Sequence, residues 1–117
     1  MRTLVPSPVR IIGTGLIGGS LGMALRRAGV QVQVEDVSPG TAALAVELGV
    51  GELPAAGDRH PELVLVAAPP DVAASLVDGA LRRWPDALVA DVASVKTTVL
   101  EGLRRLARPE DLPRYVG

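Results

Sequence analysis

Short runs of branched aliphatic residues alternate along this chain with longer segments of helical periodicity. Runs typical of strands lie at residues 9–12, 30–35, 63–67 and 87–92, and helical spacing of apolar residues follows each of them. Aromatic residues make up only 2% of the sequence, so the core has to be built from Val, Leu, Ile and Ala. Such a core suits parallel strands that are covered by helices on both faces. We therefore predict an α/β, doubly wound parallel sheet with strand order 3-2-1-4-5-6, in which a weak third strand lies near residues 50–52.

Length, charge and composition exclude several classes of protein. The 117 residues fit one domain, here residues 1–117. Acidic and basic residues number 13 and 12, so neither a nucleic-acid surface nor an acidic tail is indicated. The sequence has no cysteine, and its longest apolar run, residues 63–68, is far too short for a membrane span. We expect a cytoplasmic domain with neither nucleic-acid nor membrane partners.

A glycine-rich turn joins the first strand to the first helix. Residues 13–18 read G-x-G-x-x-G, and the strand before and the helix after them give this common pattern its force. Gly13 permits a tight turn, Gly15 lets a pyrophosphate approach the backbone, and Gly18 lets the helix pack closely on the strand. The helix N-terminus then offers free N–H groups to the phosphates. This combination predicts a Rossmann-type dinucleotide-binding domain.

An acidic residue follows the second strand at the spacing that such a domain requires. Asp36 lies 23 residues after Gly13, close to the usual spacing of about 20. Its carboxylate would accept hydrogen bonds from the adenosine ribose and repel a 2′-phosphate, which favours NAD over NADP. Glu35 is the competing candidate. It lies on the same side of the strand as the polar Gln31 and Gln33, so its side chain should point to the opposite side from that of Asp36.

Four segments of the chain carry a more specific pattern. They are residues 9–22 with a doubled glycine before Ser-Leu, residues 36–39 with the acid and a turn, residues 65–70 with Pro-Pro, and residues 91–96, which read D-x-x-S-x-K. Together they resemble the nucleotide-binding domain of prephenate and arogenate dehydrogenases. The main departure is the compressed stretch 54–61, where relatives often carry a longer helical segment.

The resemblance implies an activity and a missing part. Members of this family oxidise and decarboxylate prephenate or arogenate with NAD or NADP, in tyrosine biosynthesis. Their catalytic His stands in a G-x-H-P-x-x-G segment, which would begin where this chain stops. We therefore expect the chain to be the NAD-binding half of such an enzyme, without the helical substrate and dimerisation domain. Such a fragment would bind NAD weakly and be inactive alone, and the full-length protein would be a homodimer.

The glycine motif and the resemblance together nominate the site residues. The predicted cofactor contacts are Gly13, Thr14, Gly15, Leu16, Ile17, Gly18, Asp36, Val37, Ala68, Pro69 and Ser94. The resemblance places Ser94 near the nicotinamide and the substrate hydroxyl, and the same residue is suited to cap the last helix. Ser94 is thus a candidate catalytic residue, and Lys96, the only lysine, is a second candidate near the cleft or else an exposed first-turn residue. His60, the only histidine, lies in a loop away from the carboxyl ends of the strands, which form the cleft, and is not expected to be catalytic.

Two other functions remain open at this stage. A stand-alone NAD-binding regulatory module would explain the absence of a catalytic His. The cofactor domain of a β-hydroxyacid-type dehydrogenase or pyrroline-carboxylate reductase would share the glycine turn, although Gly-Gly-Ser-Leu and Ser-Val-Lys favour the first family. No nucleophile elbow, P-loop or metal-ligand spacing occurs in the sequence.

Overall fold

The computed structural model describes residues 7–92 and 96–116, with side chains from residue 99 onward in the second range. Its five strands are β1 (Val9–Ile12), β2 (Val32–Glu35), β3 (Leu63–Val66), β4 (Leu88–Asp91) and β5 (Tyr115–Val116). Its helices are α1 (Leu16–Arg27), α2 (Pro39–Glu47), α3 (Pro70–Arg83) and α4 (Lys96–Leu106), and a 3₁₀ helix spans Pro109–Arg114. All four strand pairings are parallel, in the order β2-β1-β3-β4-β5. The predicted α/β class, with a doubly wound parallel sheet, is confirmed.

In place of the predicted third strand near residues 50–52, the structure has a single β-bridge. Glu52 pairs in parallel with Gln33 on the outer side of β2, so the sheet has five strands rather than six. The bridge occupies the place of the third strand, and counting it restores the predicted order 3-2-1-4-5-6. Gly51 lies so close to β2 that an added Cβ would come within 2.9 Å of the Val32 carbonyl oxygen. Pro54 follows two residues after the bridge and lacks an N–H for a ladder, which keeps this edge short.

Side-chain alternation along the strands divides the core into two layers. On one face, α1 and α2 cover Val9 and Ile11 of β1 and their neighbours on β2. On the other face, α3 and α4 cover Ile12 and the buried valines of β3 and β4. All four residues of β1 are buried, and the strand lies inside the sheet, between β2 and β3. The glycine-rich turn leaves the sheet from this interior strand.

Local signals start and stop the helices as the sequence indicates. The Ser38 hydroxyl accepts the N–H of Thr41 at 3.3 Å, and Pro39 is the first helical residue of α2. Gly29, at φ +85°, ends α1 in the left-handed conformation. The stretch between Glu52 and β3 forms no helix, which agrees with the compressed connection expected there. Within residues 7–92 and 96–116, no helix has both the length and the apolar character needed to span a membrane.

Candidate functional site

The three glycines of the turn after β1 differ in what an added Cβ would meet. Gly13 adopts φ +91°, and a Cβ there would lie 2.3 Å from the Ala67 carbonyl oxygen. A Cβ on Gly18 would lie 2.1 Å from the Gly13 carbonyl oxygen, so this glycine allows α1 to pack on the turn. A Cβ on Gly15 would meet no atom within 4 Å. Of these three glycines, therefore, only Gly15 borders open space that a ligand could occupy.

The N-terminus of α1 lies at that open space. Gly15 is the N-cap, no side chain among the described residues caps the helix, and its first turn holds no acidic residue. The first N–H groups of a helix need acceptors and carry a partial positive charge. Together with the vacancy at Gly15, this end of α1 fits an anionic group such as a phosphate.

Asp36 joins the end of β2 to the glycine-rich turn. Its Oδ2 accepts the Thr14 N–H at 2.9 Å and the Thr14 hydroxyl at 3.2 Å, and its Oδ1 accepts the Ser38 N–H at 2.9 Å. Partial burial raises the pKa of Asp36, but the hydrogen bonds from Ser38 and Thr14 outweigh it and hold the pKa below its ordinary value. An ionised carboxylate has about four acceptor positions, so these three bonds leave room for a ligand hydroxyl.

Glu35 points to the opposite face of the sheet, as its alternation predicts. Its carboxylate accepts Nη1 of Arg10 at 2.9 Å and Nη1 of Arg83 at 2.9 Å. Both guanidinium groups also stack on Trp84, at 4.9 Å and 4.2 Å from the ring centroid. Nε of the buried Arg10 donates to Oε1 of Gln33 at 3.0 Å. Sequence reasoning missed this cluster, because its members come from β1, β2 and the end of α3.

Two adjoining pockets lie at the carboxyl ends of strands β1 to β4. The Asp36 pocket, of about 610 Å³, runs from Asp36 to the first turns of α3. The Val92 pocket, of about 410 Å³, runs from the start of α1 to Val92 after β4. Both include Gly15 and the segment 67–69, so they meet above the glycine-rich turn. One long ligand with an anionic centre would fill both, at the switch point where ligands of open α/β sheets bind.

The Asp36 pocket combines apolar walls with a few polar groups. Val37 is 93% exposed at its rim, while Val72 and Leu76 of α3 line its side. Thr41 and Ser75 add hydroxyl groups. This lining suits a nucleoside, whose flat base needs apolar surfaces and whose ribose needs acceptors.

Most of the residues nominated from the sequence meet at these pockets. Those that line one or the other of the two are Gly13, Gly15, Leu16, Ile17, Gly18, Asp36, Val37, Ala68 and Pro69. Thr14 is buried and contributes through its bonds to Asp36. Ser94 lies outside the described residues, and Lys96 is described only as the first residue of α4.

Sequence reasoning missed eight residues that line the pockets. They are Ile12 at the end of β1, Thr41 at the start of α2, Ala67 after β3, Pro70, Val72, Ser75 and Leu76 on α3, and Val92 after β4. Their places at strand ends and in the first turns of the helices that follow are the signal that could have identified them.

The only histidine takes no part in this cleft. His60 is exposed in the segment that precedes β3, at the amino ends of the strands, whereas both pockets lie at the carboxyl ends. Among the residues that the structure describes, no group of three or more His, Asp or Glu side chains could hold a metal ion.

Comparison with known proteins identifies the family of the chain. Residues 21–112 match the family model described as the nucleotide-binding domain of prephenate dehydrogenase. The chain is 37% identical over 120 residues to a probable prephenate dehydrogenase, NovF, of Streptomyces niveus, and the match includes all of this chain. That match spans only 30% of the relative, so the chain accounts for about a third of the relative's length.

Solved structures that share the fold described above include two dehydrogenases. Arogenate dehydrogenase from Synechocystis superposes with a TM-score of 0.72 and 29% identity, over 84% of this chain and 37% of that one. Prephenate dehydrogenase from A. aeolicus, solved with hydroxyphenyl propionate and NAD+, gives a TM-score of 0.71 and 25% identity, over 91% of this chain and 41% of that one. In both cases the shared region is less than half of the solved chain.

Proposed function

The chain belongs to the prephenate dehydrogenase family, and from this premise we propose that it forms the NAD-binding half of an enzyme that oxidatively decarboxylates prephenate or arogenate. One observation carries the proposal: the open space at Gly15 and the N-terminus of α1, which no described side chain caps, lie next to the ionised carboxylate of Asp36. An anion site next to a hydroxyl acceptor matches the pyrophosphate and ribose of a dinucleotide. When bound, NAD supplies the hydride acceptor.

The chain's own residues would hold the two halves of the cofactor in different ways. The N–H groups at the start of α1 would bind the pyrophosphate, and the free acceptor position of Asp36 would bind a ribose hydroxyl. Val37 and Val72 would enclose the adenine in the Asp36 pocket. The nicotinamide would then occupy the Val92 pocket, near the family's D-x-x-S-x-K segment.

Charge supports NAD rather than NADP. The carboxylate of Asp36 would repel a 2′-phosphate on the adenosine ribose. Arg83 is close to the end of β2 in space, although distant in sequence, but its guanidinium is paired with Glu35. Among the described residues, no Arg or Lys lines the Asp36 pocket.

We further propose that the 117-residue chain does not catalyse the reaction alone. Removal of the hydroxyl proton of the substrate calls for a base beside the nicotinamide. The only histidine, His60, precedes β3 at the amino ends of the strands, whereas the nicotinamide would lie at their carboxyl ends. We expect no prephenate-dependent or arogenate-dependent formation of NADH by this chain, measured at 340 nm, and turnover by it would contradict the proposal.

A pair of glycine variants tests cofactor binding. Gly15→Ala places a methyl group where the pyrophosphate would lie, without an internal clash. We expect it to lower NAD+ affinity at least tenfold in a calorimetric titration and to leave stability nearly unchanged. Gly79→Ala, on the exposed side of α3 with equally open surroundings, is the matched control and should retain affinity. Equal NAD+ affinity in both variants would reject the proposed site.

A further inference from the structure

A side-chain hydrogen bond links the last strand to the end of β4. The Tyr115 hydroxyl donates to Oδ1 of Asp91, whose side chain is buried. Tyr115 pairs in register with Val89, two residues before Asp91, so its ring lies along β4 and its hydroxyl reaches the strand's carboxyl end. Burial and the bond to Asp91 both raise the pKa of Tyr115, so the hydroxyl stays protonated and remains a donor.

The position of β5 does not depend on this bond. Arg114 donates to the carbonyl oxygens of Leu81 at 2.7 Å, Trp84 at 2.9 Å and Ala87 at 2.9 Å. It also pairs with Asp111 at 3.0 Å, which fixes the 3₁₀ helix that leads into β5. The backbone ladder to β4 adds a second attachment. The bond from Tyr115 is therefore available to hold Asp91 rather than to dock the strand.

The residue after Asp91 forms a wall of the cleft. Val92 lines the Val92 pocket, and its N–H donates to the Val66 carbonyl oxygen at 3.0 Å. The end of β4 is thus held from β3 through the backbone of Val92 and from β5 through the side chain of Asp91. Movement of the Asp91 side chain would shift Val92, the next residue along the chain.

We propose that Tyr115 and Asp91 are a positioning pair that sets the nicotinamide half of the cleft and leaves the adenosine half unaffected, an inference that rests on the proposed function. Asp36 and the glycine-rich turn fix the adenosine half through bonds of their own. The pair acts through Val92 and touches neither pocket itself.

Binding of NAD+ and of ADP-ribose, which lacks nicotinamide, separates the two halves. Tyr115→Phe keeps the ring and removes only the hydroxyl. We expect it to weaken NAD+ binding about fivefold, the equivalent of one lost hydrogen bond, and to leave ADP-ribose binding unchanged. Val116→Ala, the half-exposed neighbour on β5, is the matched control and should change neither ligand.

Saturation-transfer NMR on the same samples reports each half of NAD+ directly. In Tyr115→Phe the nicotinamide proton signals should fall at least twofold relative to the adenine signals, a ratio that general destabilisation does not alter. Equal losses for NAD+ and ADP-ribose, or no loss for either, would overturn the positioning role alone. Failure of the unsubstituted chain to bind ADP-ribose would overturn the proposed function and the inference with it.

Discussion

Glu35 and Asp36 are neighbours of equal charge, yet the end of β2 sends them to opposite faces of the sheet. Glu35 meets the two guanidinium groups of Arg10 and Arg83. Within the part of the chain that the structure describes, Asp36 accepts only N–H and O–H donors, from Thr14 and Ser38. A carboxylate paired with cations is neutralised within the fold, whereas one held by neutral donors keeps its charge and a free acceptor position. The first is therefore suited to stability and the second to a ligand.

The largest effect on stability is expected at the face of Glu35. Glu35→Ala leaves Arg10 buried without its carboxylate, which costs about 3 kcal/mol of unfolding free energy. Urea denaturation measures this loss, and Glu101→Ala, at an exposed position on α4, is the control. ADP-ribose affinity of the folded protein should stay within twofold. A clear loss of affinity would mean that the two faces are not independent.

Replacement of Asp36 should produce the complementary pattern. Asp36→Ala removes the ribose acceptor and releases the Thr14 N–H, so we expect at least a tenfold loss of ADP-ribose affinity and about 1–2 kcal/mol of stability. Calorimetric titration and urea denaturation of one preparation give both values. Asp36→Asn keeps one acceptor oxygen and should be intermediate in both. Unchanged affinity in Asp36→Ala would exclude this carboxylate from the site.

Arg83 should contribute less than its two contacts indicate. Its side chain is 53% exposed, and exposed ion pairs contribute at most about 1 kcal/mol. Arg83→Ala should therefore cost about 0.5–1 kcal/mol in urea denaturation, since Arg10 still neutralises Glu35. A loss as large as that of Glu35→Ala would show that the stacking of Arg83 on Trp84 matters more than the ion pair.

The sequence predicted the face of Asp36 far better than the face of Glu35. Residues 13–18 and Asp36 are positioned by local rules, namely a glycine turn, strand alternation and a fixed spacing. The Glu35 cluster depends on Trp84, which lies 49 residues or more after β1 and β2 in the sequence, and no local pattern encodes such a contact. The third strand was overpredicted for a related reason, since the short approach of Gly51 to β2 is a tertiary contact. Ser94 and the side chain of Lys96 remain sequence predictions.

The smallest expected effect is the dependence of stability on pH at Asp36. Because the folded state holds the pKa of Asp36 below its unfolded value of about 3.9, the stabilisation is complete above that pH and is lost as the pH falls through the folded pKa. Asp36→Asn cannot titrate, so the gap in unfolding free energy between the unsubstituted chain and this variant should narrow below about pH 4. Urea denaturation at pH 5 and pH 3 measures the gap, and subtraction removes the titration of the other carboxylates. We expect a narrowing of less than about 1 kcal/mol, because the carboxylate is partly exposed. A gap that widens toward pH 3 would mean that the neutral acid, rather than the carboxylate, is favoured by the turn.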